Sequence, residues 1–183
     1  MTTHAREALV VTAQRLYAEK GVAATTPREV LEHSGVGQGS LYHHFPSKRD
    51  LAVAAVSRTV EETLRSAVSQ LEGTGAPDAR LAAYLERPRD AVAGCRVGRL
   101  TADPLVMADA DLHTEVAAYF SNLIQTVAGV LREQGLEADA ARDRATTAVA
   151  VVQGGYVLSR ALGDQEPMRA AVRGFLGLLE ARA

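Results

Sequence analysis

Apolar side chains recur every three to four residues along nearly the whole chain, and no stretch alternates apolar with polar positions. That spacing predicts helices throughout and no half-buried strand. Leu9, Ala13, Leu16 and Tyr17 form the inward stripe of a first helix that stops at Gly21. Thr26-Pro27-Arg28-Glu29 supplies a capping residue, a proline at the first helical position and a glutamate three residues after the cap. A second helix therefore starts there and ends at Gly35. A third, roughly Gln38 to His44, is too short to stand alone and must be held by its neighbours. Ser47-Lys48-Arg49-Asp50 caps a long fourth helix reaching about Leu71, with Leu51, Val60, Leu64, Val68 and Leu71 as candidate inward positions.

Gly73-Thr74-Gly75-Ala76-Pro77-Asp78 is a loop. Beyond it the pattern predicts helices near 78–92, 97–107, 110–134, 138–162 and 166–181, with breaks at Gly94, Asp103-Pro104, Gly135 and Gly163. The expected fold is all-α: a three-helix helix-turn-helix head over residues 1–50 and a helical-bundle body over residues 51–183. The join falls inside the fourth helix, so movement of the body is expected to pass to the head.

Composition narrows the function classes. The chain has 183 residues, with 20 basic against 22 acidic ones, so it is not a uniformly basic coat for nucleic acid. Residues 1–58 hold seven Lys/Arg and five Asp/Glu together with four of the five histidines, so the body is the acidic part. A mildly basic head suits an end that meets a polyanion. Cys95 is the one cysteine, which excludes an internal disulfide and a cysteine-rich zinc site. His43 and His44 are adjacent, and neighbouring helical residues point about 100° apart, so they make no metal pair. Neither a metal nor a cofactor is expected, and nothing supplies a nucleophile with a general base. No apolar run reaches the length of a membrane span and the N-terminus lacks an apolar signal core, so a cytoplasmic protein is expected. Arginine outnumbers lysine eighteen to two, read here as the mark of a GC-rich bacterial genome.

The segment 26–48 carries the chemistry of groove insertion. Gly35-Val36-Gly37 permits two helices to cross steeply, and the second must offer groups to base edges while flanking residues hold phosphates. Gln38, Ser40 and His44 place polar groups on that short helix, and Gly39 lets its backbone approach DNA closely. Tyr42, Lys48 and the helix start at Thr26 suit phosphate contact. Arg28 is placed to reach phosphate or base.

Residues 5–52 resemble the DNA-binding head of the TetR/AcrR family of bacterial repressors. The resemblance rests on Gly21, Thr25-Thr26, Val30, Gly35-Val36 and Leu51, and above all on Gly39-Ser40-Leu41-Tyr42-His43-His44-Phe45 with Pro46-Ser47-Lys48. It implies that Val36, Leu41 and Phe45 pack the head, while Thr26, Arg28, Gln38, Ser40, Tyr42, His44 and Lys48 face a double-stranded DNA operator. Leu31 stands where the family usually has a small residue, and Gly37 where a capping serine is common, so a weaker cap on the third helix is expected. Gly94-Cys95-Arg96-Val97-Gly98, leading to Asp103, resembles a Gly-Cys-Pro-x-Gly stretch of the LmrA-like subset, with Arg96 for proline and Asp103 for glutamate.

The resemblance implies a homodimer and a small-molecule effector held in the body. Tyr84, Cys95, Met107, Tyr119, Phe120, Gln153 and Tyr156 are the candidates for an apolar pocket wall with a few polar points, ordinary core packing being the competing reading of each. Ala148, Val149, Val152, Gly155, Tyr156 and Ser159, then Val172, Phe175, Leu176 and Leu179, form a stripe on the last two helices. Gly154, Gly155, Gly174 and Gly177 cost about 1 kcal/mol each relative to alanine, a cost that close helix approach explains. In the family these helices form a four-helix dimer interface. Two other readings stay open: a regulator controlled by a protein partner without a small ligand, and a helical enzyme or metal-binding domain.

Overall fold

The computed structural model describes residues 2–180, and among them no strand occurs. The helices are α1 (Thr2–Lys20), α2 (Pro27–Ser34), α3 (Gln38–His44), α4 (Lys48–Leu71), α5 (Pro77–Glu86), α6 (Pro104–Ala108), α7 (Ala110–Glu133), α8 (Ala138–Leu162) and α9 (Glu166–Glu180), with a 3-10 turn at Gly98–Ala102. Most boundaries follow from local chemistry. Thr26 caps α2 in a reciprocal box with Glu29. At the start of α4, Ser47 and Asp50 exchange the same pair of bonds: the Ser47 amide donates to the Asp50 carboxylate at 2.9 Å and the Asp50 amide to the Ser47 hydroxyl at 3.2 Å. Gly37 gives α3 no side-chain cap, as its sequence implies.

One predicted helix comes out shorter, and a proline is the reason. The segment 78–92 is helical only to Glu86, because the residue before a proline is pushed out of the α region; Arg87, before Pro88, has ψ 143°. The Arg89 guanidinium then closes α5 by donating to the carbonyls of Tyr84 and Leu85, both at 2.6 Å. The segment 97–107 divides at Asp103-Pro104, the break its sequence predicts, into the 3-10 turn and α6. Residue 181, the last of the predicted final helix, lies outside the described residues.

The chain forms two compact units, one running to Glu62 and including Arg96–Ala118, the other Thr63–Cys95 with the chain from Tyr119 on. In the first, α1 packs on α2 and α3, and the 3-10 turn on α6. Leu9, Ala13 and Val22 are fully buried there, with Leu41 of the short α3 and Phe45 just after it nearly so; Val36 is half-buried. Burying a side chain of leucine size stabilises by roughly 1.5–3 kcal/mol, which is how a seven-residue helix is held in place. On α4, Leu51, Val60 and Leu71 are buried as predicted, whereas Leu64 and Val68 are only half-buried.

In the second unit α8 packs along α9. Ala148, Val149, Val152, Gly155 and Ser159 of α8, with Val172 and Phe175 of α9, are buried within the chain itself. Those seven positions of the stripe read from the sequence as a dimer seam therefore pack within the chain, while Tyr156, Leu176 and Leu179 of the same stripe are half-buried. Gly155 explains its own presence: a Cβ there would lie 2.7 Å from the Met168 sulfur. Gly154, Gly174 and Gly177 face open space instead, as do Val157, Leu158, Leu162 and Leu178, large apolar side chains left exposed.

Candidate nucleic-acid interface

The buried side of α3 fixes its exposed side. With Leu41 and Phe45 inward, the 100° helical step turns Gln38, Gly39, Tyr42 and His43 to solvent, and Ser40 and His44 sit half-buried at the edges. Tyr42 is 48% exposed. His43, which the sequence did not place among the DNA contacts, thus shares the open face, while His44 is edge-on to it with ring centroids 5.1 Å apart. Its position follows from the same step that put Tyr42 outward, so the signal was present in the spacing.

The flanking residues are engaged by their own fold. The Thr26 hydroxyl accepts from the Glu29 amide at 3.3 Å and donates to the Glu29 carboxylate at 2.9 Å. Glu29 also pairs with Lys20, and that bond, followed by the Thr26 bonds, draws its carboxyl from the ordinary 4.5 down to about 2. Because the folded value is depressed, the cap's contribution is complete above about pH 4.5 and fades as pH falls towards 2. An NMR titration of the Glu29 carboxyl is expected to find that low midpoint; one at the ordinary value would remove Lys20 and Thr26 as its anchors. Arg28 lies on the open surface of α2, paired with Glu32 at 2.8 Å. Lys48 is half-buried and donates to the Ala23 carbonyl at 3.1 Å, tying the start of α4 to the turn between α1 and α2.

Behind this surface the same unit holds a set of polar ties absent from any local sequence pattern. The Asp103 carboxylate, 7% exposed, accepts four backbone N–H groups. One oxygen takes Val22 at 2.6 Å and Ala23 at 3.0 Å; the other takes Leu105 at 3.0 Å and Val106 at 3.3 Å and so caps α6. Gly21 makes room for it, since a Cβ there would sit 2.6 Å from that carboxylate, and its φ of 90° disfavours any other residue. Arg99 donates to the terminal carbonyls of α1, Ala18 and Glu19. Arg49 binds Asp109 at 2.6 and 3.1 Å and also pairs with Asp111. The Arg49 bonds hold the Asp109 carboxyl below its ordinary value. Burial, and then the Asp103 charge, pushes the Tyr17 phenol up. Together these bonds fasten the stretch 99–111 to the helices that carry α3.

Of the ligand-pocket candidates, six belong to the second unit and Met107 to the first, where it is exposed on α6. Tyr84, Tyr119 and Cys95 are buried, and Phe120, Gln153 and Tyr156 half-buried. Gln153 donates to the Cys95 sulfur at 3.7 Å, and Tyr119 meets Phe120 edge-on at 5.0 Å. Burial raises the Tyr119 phenol, with Cys95, Tyr84 and Tyr156 near enough to add to it. The cluster also gathers two residues the sequence reading passed over: Arg87 and Arg89 lie over the Tyr84 ring at 5.1 and 5.4 Å. Their only signal was the run Glu86-Arg87-Pro88-Arg89. Among the described residues no group of three metal-ligating side chains occurs, and no helix is long and apolar enough to cross a membrane.

Known proteins share both halves of this arrangement. Residues 9–55 match the family of bacterial regulatory proteins named for TetR, and residues 79–173 match the C-terminal domain of LmrA/YxaF-like transcriptional regulators. An HTH-type transcriptional regulator of Mycobacterium tuberculosis is 28% identical over 181 residues, covering 95% of this chain and 93% of its own. The HTH-type transcriptional repressor KstR2 of Mycolicibacterium smegmatis is 38% identical over 68 residues, 37% of this chain and 29% of its own. In fold, a TetR-family regulator from Agrobacterium tumefaciens superposes with a TM-score of 0.84 at 23% identity, over 97% of this chain and 98% of its own. A capped α2, a short α3 with an open polar face, and matches at both ends of the chain make this protein a DNA-binding transcriptional regulator of the TetR family, in its LmrA/YxaF-like branch.

Proposed function

We propose that the protein is a homodimeric repressor that binds a palindromic or near-palindromic operator and leaves it when a small molecule binds the body. Residues 1–50 read DNA, and residues 51–183 hold the effector and the dimer contact. The exposed face of α3 carries this reading: Gln38, Gly39, Tyr42 and His43 are open, backed by buried Leu41 and Phe45. A helix so mounted enters a major groove, with phosphate contacts setting its position. Thr26, Arg28, Ser40, His44 and Lys48 complete the candidate DNA contacts. The name of the mycobacterial relative KstR2, a repressor, supports the direction of control.

Dimerisation through α8 and α9 is supported by the exposed apolar face rather than by the buried stripe. Val157, Leu158, Leu162 and Leu178 lie open beside glycines whose absent side chains leave room for a close partner. The effector reading is supported by the buried Tyr84, Tyr119 and Cys95 with Gln153 beside them. Release requires only that the ligand prefer the state that does not bind DNA, and its effect cannot exceed that preference.

Tyr42→Phe combined with Lys48→Ala is expected to weaken binding to all sequences alike. The salt slope of binding should fall by about one counterion for the lost ammonium. Fluorescence anisotropy on an operator duplex and an unrelated duplex, across a salt series, checks both. An unchanged slope on both duplexes would remove Lys48 from the phosphate contacts and leave it only its tie to Ala23.

A further inference from the structure

We infer that the groove between the C-terminal end of α5 and the first turns of α9 is a binding site for an amphipathic anion, an apolar body carrying a carboxylate or phosphate. The groove has a volume of about 530 Å³, ample for such a molecule. Its floor includes Met168 and Val172, both buried side chains of α9. Around it stand four guanidinium groups, those of Arg87, Arg89, Arg169 and Arg173.

The charges there are not balanced by the chain. Arg173 pairs with Glu166 at 2.6 Å, and Arg169 approaches the same carboxylate at 3.9 Å, so one acid serves two arginines. Glu86 lines the groove as well. Among the described residues, neither Arg87 nor Arg89 has a carboxylate partner. Arg87 lies on the Tyr84 ring and reaches the Ser66 hydroxyl at 3.4 Å. Arg89 spends its terminal nitrogens on three backbone carbonyls, while its Nε is buried and bonded to nothing. Desolvating a guanidinium without a counter-ion is costly, and an anion seated among these four guanidinium groups, bonded by the exposed Arg169 and Arg173, offsets that cost with short, charge-assisted bonds. An apolar floor beneath a rim of positive charge selects against simple ions and against uncharged oils together. The binding claim stands on the groove alone and holds whether or not the occupant also releases DNA.

Decanoate is the probe, with decanol as the body without the charge and inorganic phosphate as the charge without the body. The full-length protein is labelled with ¹³C at its methionine methyl groups, so that Met168 reports from the groove floor and Met107 from α6. Decanoate is expected to shift the Met168 signal saturably and leave Met107 still, with decanol and phosphate each at least about tenfold weaker. Arg169→Ala with Arg173→Ala, both side chains more than 60% exposed and so dispensable for folding, should weaken decanoate by about tenfold or more. The proposal is overturned if Met168 does not respond, if decanol matches decanoate, or if the double variant binds decanoate as the parent does.

Discussion

Replacing Asp103 by alanine is expected to destabilise the protein by about 3–5 kcal/mol and to abolish operator binding at temperatures where the parent binds. The figure follows from what the carboxylate holds. It accepts from Val22, Ala23, Leu105 and Val106, and the Val22 and Val106 amides belong to fully buried residues. Bonds to a charged group contribute about 1.5–3 kcal/mol each, loss of a helix cap costs about 0.5–2 kcal/mol, and neighbouring losses do not add in full. The sum therefore falls well below four independent bonds. Gly21→Ala attacks the same contact from the other side, forcing a Cβ to within 2.6 Å of the carboxylate at a φ of 90°. It should produce a loss of similar kind. Urea denaturation of the two variants measures this, and a midpoint within error of the parent for Asp103→Ala would show that the four bonds contribute nothing. Asp103→Asn separates charge from shape: it keeps one acceptor oxygen and turns an NH₂ towards amide donors, so it should fall between parent and alanine variant.

Leu158→Arg combined with Leu162→Arg should turn the protein into a monomer and weaken operator binding more than about a hundredfold. The two side chains are one helical turn apart on α8, 51% and 70% exposed, so both can be replaced at small cost to the fold of their own chain. Buried against a partner, each contributes about 1.5–3 kcal/mol, and charges in their place add a desolvation cost the partner cannot offset. Binding two half-sites at once gives far more affinity than either alone, so separating the heads removes most of it. Sedimentation equilibrium reads the assembly, and anisotropy on the operator reads the affinity. A dimeric, operator-binding variant would place the dimer contact away from α8.

How much of this was legible beforehand depended on whether the determining interaction was local. Thr26 with Glu29 and Ser47 with Asp50 are three residues apart, and Gly35 immediately follows the helix it closes, so the head's boundaries could be read directly. Pro104 marks its break in the sequence as well, whereas helical spacing around Pro88 concealed how abruptly that proline ends a helix. The α8 stripe shows a different limit. Periodicity reveals that Val152 and Gly155 share a buried face, and it holds no information on whether that face belongs to the same chain or to a partner. The second, exposed face through Leu158 and Leu162 was hidden by the strength of the first. The sequence marks Asp103 as a break before Pro104 and as a departure from a glutamate, but its partners Val22 and Ala23 are 81 and 80 residues away, and no local rule reaches that far.

Sequence-specific reading of DNA by α3 is the claim on which the rest depends, and selection from fragmented genomic DNA with the purified full-length protein tests it directly. The account predicts enrichment of a two-fold symmetric motif with half-sites about one helical turn apart, roughly 10 base pairs. It further predicts that Gln38→Ala loses preference at one position in each half-site, worth about 1–3 kcal/mol, and keeps the rest of the motif. A selection that enriches no motif, or one that Gln38→Ala leaves unchanged while a substitution outside α2 and α3 alters it, would contradict the account.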